Sequence, residues 1–194
     1  MERDRSNSSS ASAESRRPDL HQFELIYKEH SNFVYNLAYR LTGSRGEADD
    51  LLQDTFLRVY RYLGGYAGGS FKGWLRRIVV NLFLTKCHSS QRNNQVSLDS
   101  EREDGRQRRL EEALLDRSGD PAFKMEQVSL DDRLQSSLDA IPEEYRVTLI
   151  LRELDDLSYD QIAATLGVPL GTVRSRLARA RSMLRAQMDQ RAAS

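Results

Sequence analysis

The sequence predicts an all-α protein made of two small helical domains joined by a flexible linker. Three observations support this fold class. Apolar residues recur at helical spacing through most of the chain, and no stretch has the pattern of a convincing β-strand. A highly charged segment with few large apolar residues interrupts that periodicity near the middle. The 194 residues suffice for two small domains.

Composition sets the domain boundaries. Residues 1–19 are polar and Ser-rich and are predicted to form a disordered N-terminal extension. The first domain is expected at 20–90, the linker at 91–122 and the second domain at 123–190. The single cysteine, Cys87, excludes an intramolecular disulfide and is typical of a reducing compartment, so a cytoplasmic location is expected. No apolar run approaches the roughly 18 residues of a membrane span, so membrane insertion is not expected.

Three helices are predicted in the first domain. Apolar periodicity places them at residues 20–42, 47–63 and 71–87. Ser44 and Glu47 have the spacing of a capping box at the start of the second helix. Four glycines in the seven residues GGYAGGS break the pattern and predict a loop before the third helix.

The second domain is predicted to end in a helix-turn-helix. Two helices come first, one starting at Asp120-Pro121 and one at Pro142. The segment SYDQIAATLG then has a capping box, formed by Ser158 and Gln161, and a C-terminal glycine, Gly167. The turn VPLG separates it from an arginine-rich helix. A short capped helix, a tight turn and a longer basic helix are typical of duplex DNA binding.

The segment GTVRSRLARARSMLR holds five arginines and no acid, although the net charge of the whole chain is zero. On a helical wheel its apolar residues form one stripe, which is expected to pack on the domain. Ser175, Arg179 and Ser182 point away from that stripe. Arg174, Arg181 and Arg185 line one flank, and Arg176 lies on the other. This face suits a DNA major groove; the alternative is a solvated basic face without a partner.

Two features of the first domain leave alternatives open. In EADDLLQDTFLRVYR, the face away from the apolar stripe is acidic and is expected to expose Leu57. It is either a docking surface for a basic partner or a solvated face near a helix N-terminus, and composition alone favours the latter. Beside the glycine loop, the aromatic residues Tyr66, Phe71 and Trp74 either stack on unpaired bases, with basic residues holding the backbone, or belong to the core.

Three motifs together resemble bacterial RNA polymerase sigma factors of the extracytoplasmic-function group. They are EADDLLQDTFLRVYR, FKGWLRRIVVNLF and LSYDQIAATLGVPLGTVRSRLARAR, and the resemblance covers about residues 20–188. It implies that the chain binds core RNA polymerase and directs it to promoters. The first domain is similar to sigma region 2 and the second to sigma region 4. Expected partners are the beta prime clamp helices and the beta flap of polymerase, promoter DNA and an anti-sigma factor.

The resemblance also implies roles for individual residues. Docking on the clamp helices falls to the acidic helix, at Asp50, Gln53, Asp54 and Leu57. Recognition and melting of the −10 element fall to the glycine loop and the next helix, at Tyr66, Ser70, Phe71, Trp74, Arg77 and Asn81. In the arginine helix, bases of the −35 element are expected to face Arg174, Ser175 and Arg179. Phosphates are expected near Thr172, Arg176 and Arg181.

One departure and several exclusions accompany this interpretation. Thr85 stands where the family usually has an aspartate, which leaves the upstream duplex contacts undefined. Neither a phosphate-binding glycine loop nor a dinucleotide fingerprint occurs, so no enzyme activity and no cofactor are expected. Cys87 and His88 are adjacent, which is poor geometry for a shared metal, so no metal site is expected. The rival interpretation is a stand-alone helix-turn-helix regulator that binds duplex DNA without polymerase.

Overall fold

The structure, a computed structural model, describes residues 20–92 and 132–192, and all of its regular structure in these ranges is helical. The predicted N-terminal extension, nearly all of the predicted linker and the helix start at Asp120-Pro121 lie outside the described residues. The helices are α1 (Leu20–Thr42), α2 (Arg45–Tyr62), α3 (Phe71–Arg92), α4 (Asp132–Asp139), α5 (Glu143–Glu153), α6 (Tyr159–Leu166) and α7 (Leu170–Ala192). None of these described helices is both long enough and apolar enough to cross a membrane.

Helices α1 to α3 form the N-terminal unit. Helix α1 ends at Gly43, whose φ of 70° is accessible to glycine at little cost, and its N–H donates to the Tyr39 carbonyl at 2.8 Å. The chain then reverses, so that Phe23 near the start of α1 packs on Tyr60 near the end of α2, with ring centroids 5.3 Å apart. Helix α2 begins two residues earlier than predicted, and Ser44 Oγ accepts from the Glu47 N–H at 3.4 Å.

Helix α3 is longer than its apolar pattern predicts, because it continues to Arg92 rather than ending at Cys87. The residues after Cys87 are polar and include neither proline nor glycine, so nothing in the sequence ends the helix there. Its buried face includes Leu75, Val79 and Leu82, as the spacing predicts. Four of the six residues predicted for the −10 element lie on this helix, namely Phe71, Trp74, Arg77 and Asn81.

Helices α4 to α7 form the C-terminal unit and confirm the predicted helix-turn-helix. Both halves of the predicted capping box are present: Ser158 Oγ accepts from the Gln161 N–H at 3.2 Å, and Gln161 Oε1 accepts from the Ser158 N–H at 2.8 Å. Gly167 ends α6 with a φ of 65°, a left-handed conformation that favours glycine. Helix α7 follows at once and buries Val173 and Leu177 against the unit.

The two units pack directly on one another, which the expectation of separate domains on a flexible tether does not include. Helix α3 contacts α5 and α6, and α1 contacts α4 and α5. The buried side chains of both units belong to one continuous apolar cluster. The face of the N-terminal unit that carries the glycine loop therefore lies against the helix-turn-helix.

Candidate functional site

An aromatic cluster lies beside the glycine loop. The ring centroids of Tyr66, Phe71 and Trp74 are 5.2 to 5.4 Å apart, which is the range of favourable aromatic pairs. Gly68 and Gly69 have φ values of 94° and 99°, which the loop needs in order to turn, and Tyr66 Oη donates to the Gly69 carbonyl at 2.8 Å. All three rings are half-buried. The cluster thus belongs partly to the core and partly to the surface.

The other residues predicted for this site surround the cluster. Ser70 directly precedes α3, and its Oγ accepts from the Gly73 N–H at 3.1 Å. Asn81 is exposed two turns further along α3, about 10 Å from Trp74 along the helix axis. Arg77 is also exposed, but its Nη2 donates to the Ala164 carbonyl of α6 at 2.8 Å. The structure therefore brings these residues together on one side of α3 and turns Arg77 toward the C-terminal unit.

The acidic face of α2 is less open than its sequence suggests. Asp50 is exposed, Gln53 and Asp54 are half-buried, and Asp54 forms an ion pair with Lys86 of α3 at 2.7 Å. The prediction that Leu57 is exposed was wrong: Leu57 is half-buried, because its side chain packs on the apolar cluster. Burial, and to a smaller extent the neighbouring Asp50 carboxylate, raise the pKa of Asp49.

The apolar stripe of α7 is as predicted: Val173, Leu177 and Ala180 are fully buried, and Leu184 is half-buried. Two predicted base-facing residues, Arg174 and Ser175, are exposed near the start of the helix. Ser175 Oγ donates back to the Thr172 carbonyl at 3.0 Å. The start of α7 therefore presents a polar, cationic end to solvent.

Three arginines of α7 have partners on α5, which the sequence analysis did not predict. Arg176 Nη2 lies 2.7 Å from Glu144 Oε2, and Arg179 Nη1 donates to Tyr145 Oη at 3.2 Å. Arg181 donates twice to Glu153 Oε1, at 2.6 and 3.0 Å. The hydrogen bond to Tyr145 raises the pKa of Arg179, and the one to Glu153 raises the pKa of Arg181. Both guanidiniums are therefore fully charged at neutral pH.

These contacts to α5 leave the three arginines of α7 accessible. Four of the six residues are exposed and two, Arg176 and Tyr145, are half-buried. An ion pair near the surface is worth about 0 to 1 kcal/mol. A phosphate oxygen can replace a glutamate carboxylate on the same guanidinium, because both accept paired N–H donors. The acidic residues of α5 thus hold α7 arginines in place without burying them.

A cleft of about 710 Å³ separates the two units. The aromatic cluster forms one wall, through Tyr66 and Trp74, and Gln161 and Thr165 of α6 form another. Arg76 and Asp155 also line the cleft. The sequence analysis counted Arg76 among the basic residues beside the aromatic cluster, but it missed Asp155 and the pairing of the two. Because they lie 79 positions apart in the chain, no local pattern connects them.

The described residues offer little for metal or thiol chemistry. Within residues 20–92 and 132–192, no three His, Cys, Asp or Glu side chains come close enough together to hold a metal ion. Cys87 is half-buried, and burial raises the pKa of its thiol, so little of it is thiolate at neutral pH. His30 is 7% exposed and stacks near Phe71, with ring centroids 4.9 Å apart, so it is a packing residue.

Comparison with known families matches both units. Residues 26–93 match the family model described as Sigma-70 region 2, and residues 131–184 match the one described as Sigma-70, region 4. The chain is similar to the ECF RNA polymerase sigma factor SigE of Mycolicibacterium smegmatis, at 42% identity over 82% of this chain and 59% of that protein. It is also similar to the RNA polymerase sigma-H factor of Pseudomonas aeruginosa, at 33% identity over 87% of this chain and 86% of the relative.

Solved structures share the fold. The sigma factor RpoE of Bartonella quintana, solved in complex with the anti-sigma factor NepR, matches with a TM-score of 0.61 at 23% identity. The match covers 88% of this chain and 98% of that one. At this identity the likeness establishes the helical architecture alone.

Proposed function

Because the chain belongs to the ECF group of the sigma-70 family, whose members direct transcription initiation, we propose that it recruits core RNA polymerase to promoters with two elements. The observation that carries the proposal is one chain holding two unlike surfaces, an aromatic cluster beside cations and a helix-turn-helix with an exposed cationic helix. The family is not enzymatic, which agrees with the prediction that the chain is not an enzyme.

The C-terminal unit is proposed to read the −35 element as duplex DNA. Arg174 and Ser175 are exposed at the start of α7, where a recognition helix contacts base edges, and Arg179 lies further along it. An arginine that donates twice to a guanine discriminates by about 1 to 3 kcal/mol. Thr172, Arg176 and Arg181 are proposed for phosphates, with Glu144 and Glu153 releasing the two arginines on binding.

The N-terminal unit is proposed to capture an unpaired base of the −10 element. Its aromatic rings are half-buried, and two of them, Tyr66 and Trp74, line the cleft in which we propose that a flipped base stacks. The proposed contacts are Tyr66, Ser70, Phe71, Trp74, Arg77 and Asn81. Ser70 contributes its backbone more than its hydroxyl, because that oxygen already caps α3.

Polymerase is proposed to dock on α2. Asp50, Gln53 and Asp54 offer carboxylates and an amide to a basic partner surface, and the half-buried Leu57 adds an apolar edge. The proposed counterparts are the clamp-helix region of beta prime for α2 and the beta flap for the C-terminal unit. Since a sigma factor of similar fold is solved with an anti-sigma factor, we extend the proposal to an anti-sigma partner. We also propose a cytoplasmic site of action, in line with the single cysteine of the chain.

The test is transcription in vitro with purified bacterial core polymerase on a library of genomic fragments. New transcripts that share two upstream elements are expected only when the protein is added. Arg179→Ala is expected to abolish use of the −35 element and to leave core binding intact, whereas Asp50→Ala with Gln53→Ala is expected to do the reverse. Arg185→Ala, on the same helix, is the matched control. Tight binding to duplex DNA without polymerase, and no new transcripts, would favour the stand-alone regulator.

A further inference from the structure

A buried carboxylate joins the two units. Asp155 lies in the connection between α5 and α6, and its side chain is 7% exposed. Its Oδ2 accepts from Arg76 Nε at 2.8 Å, and its Oδ1 lies 3.6 Å from Arg40 Nη1. The two arginine side chains belong to α3 and α1 and are 14% and 16% exposed. One carboxylate of the C-terminal unit therefore sits between two largely buried cations of the N-terminal unit.

Neighbouring contacts reinforce this junction at the C-terminal end of α1. Helix ends carry unpaired carbonyls and a partial negative charge, which favours cations there. Arg146 Nη1 of α5 donates to the Leu41 carbonyl at 2.7 Å, and Gln135 Nε2 of α4 donates to the Arg40 carbonyl at 3.3 Å. The side-chain carboxylate of Asp139 lies against Gly43, where a Cβ atom would clash with it. The units therefore meet in one specific arrangement.

This arrangement restricts access to the proposed −10 surface, and the present inference rests on that proposed function. Tyr66 and Trp74 share one cleft with Gln161 and Thr165 of α6, so a nucleic acid strand that enters the cleft meets the C-terminal unit. The 39 residues from 93 to 131 can extend to at most about 140 Å, so the chain is long enough for the units to part.

We propose that Asp155 is an autoinhibitory latch, which holds the C-terminal unit over the proposed −10 surface through Arg40 and Arg76 until promoter DNA or polymerase separates the units. The latch keeps Trp74 on the wall of the cleft between the units and ties Arg77 to the Ala164 carbonyl. In the closed chain, four of the six residues proposed to capture a base line the same cleft as α6, namely Tyr66, Ser70, Trp74 and Arg77.

The chemistry of the junction makes the latch reversible. A buried carboxylate neutralises only one of two cations, so the closed form retains an excess positive charge. In the described part of the chain, three buried side-chain polar atoms have no hydrogen-bond partner, and two of them, Arg40 Nε and Gln135 Oε1, lie at this junction. Such atoms regain hydrogen bonds with water when the units part. A polyanion that contacts Arg40 or Arg76 therefore competes effectively with Asp155.

The variant Asp155→Asn tests the latch in the full chain. It removes the charge and leaves two arginines that remain unneutralised unless the units separate. The matched control is Asp156→Asn, the exposed neighbour, whose φ of 52° an asparagine accepts readily. Trp74 is the chain's only tryptophan, so acrylamide quenching of its fluorescence reports opening without a label. Small-angle X-ray scattering measures the radius of gyration in parallel.

We expect Asp155→Asn to raise both the quenching constant, by about twofold, and the radius of gyration, with helical content by circular dichroism unchanged. We expect Asp156→Asn to match the wild type. If Asp155→Asn loses helical content, Arg40→Gln decides, because it breaks the same junction from the other unit and is expected to open the chain equally. The latch would be overturned if Asp155→Asn or Arg40→Gln, while folded, had the same quenching constant and radius of gyration as the wild type.

A second readout separates this inference from the proposed function. The probe is a mixed-sequence single-stranded DNA 20-mer, whose binding to the free chain is followed by fluorescence anisotropy. If the wild-type surface is exposed in only a small fraction of molecules, opening it raises the apparent affinity in proportion, by about three- to tenfold for Asp155→Asn. An opened chain without this gain would overturn the claim that the latch covers a nucleic-acid surface. Absence of promoter-dependent transcripts from wild type and variant alike, with scattering that responds, would instead overturn the sigma-factor proposal and leave the latch intact.

Discussion

The two units support their candidate residues in different ways. In the N-terminal unit, the rings proposed to capture a base also pack against other rings. The ring centroids of Phe71 and the buried His30 are 4.9 Å apart, and those of Phe71 and Trp74 are 5.4 Å apart. In the C-terminal unit, the proposed DNA-contacting arginines lie outside the core, and three of them, Arg176, Arg179 and Arg181, contact α5. We infer that stability and function are coupled in the first unit and separable in the second.

The largest effect on stability is expected for Trp74→Ala. A half-buried tryptophan that contacts two other rings should cost about 2 to 3 kcal/mol of unfolding free energy, below the 3 to 5 kcal/mol of a fully buried aromatic residue. The same variant is expected to abolish promoter melting. Urea unfolding followed by circular dichroism measures the first effect, and permanganate reactivity of promoter thymines measures the second. Trp74→Phe is the control and should retain most of both; full stability in Trp74→Ala would show that the ring does not contribute to packing.

In the C-terminal unit, Arg174→Ala should lose function without losing stability. Its side chain is exposed, so we expect a loss of about 1 to 3 kcal/mol in binding to a −35 duplex and less than 0.5 kcal/mol in unfolding free energy. Anisotropy titration of the polymerase complex and thermal unfolding give the two numbers. Arg185→Ala removes the same charge from the same helix, and it should change binding far less. Equal losses for the two variants would reduce the role of Arg174 to general electrostatics.

Local features of both units could be predicted from the sequence. The capping box of α6 and the left-handed Gly167 involve residues a few positions apart, so their side-chain chemistry determines them directly. The stripe of Val173, Leu177 and Ala180 follows from helical periodicity alone. The family models likewise match both helical segments that the periodicity marks.

Contacts between distant residues could not be predicted in this way. Arg179 and Tyr145 are 34 positions apart, and Arg76 and Asp155 are 79 apart, so their pairing depends on how whole helices pack. Leu57 was expected to be exposed from its position on the helix, yet it is half-buried against the apolar cluster. The acidic residues of α5 could have indicated the partners of the arginines, because a helix that carries Glu144 and Glu153 complements a basic neighbouring helix.

Stability of the N-terminal unit should also depend on pH through His30. Burial, more than any charge, lowers the pKa of His30 below 6.5; Lys72 acts in the same direction and Glu29 opposes it. Below pH 6.5, His30 therefore binds a proton in the unfolded chain more readily than in the folded chain. The free energy of unfolding falls as the pH decreases. Thermal unfolding at pH 7.5 and 5.5 should show a loss that is smaller in His30→Gln. An identical pH dependence in that variant would assign the loss to other groups.

The smallest effect on stability is expected for Glu153→Gln in the C-terminal unit. Glu153→Gln removes the negative charge that pairs with Arg181 at an exposed site, where the pair is worth at most about 1 kcal/mol to stability. The guanidinium charge is then no longer neutralised by Glu153 and is available to a phosphate, so binding of the C-terminal helix to duplex DNA should become stronger at low salt. The slope of log K against log salt concentration should steepen by up to about 0.9, the value for one further phosphate contact. In an Arg181→Ala background the same substitution should change neither quantity. A gain that survives there would mean that Glu153 repels DNA directly, and that its hydrogen bonds to Arg181 are incidental.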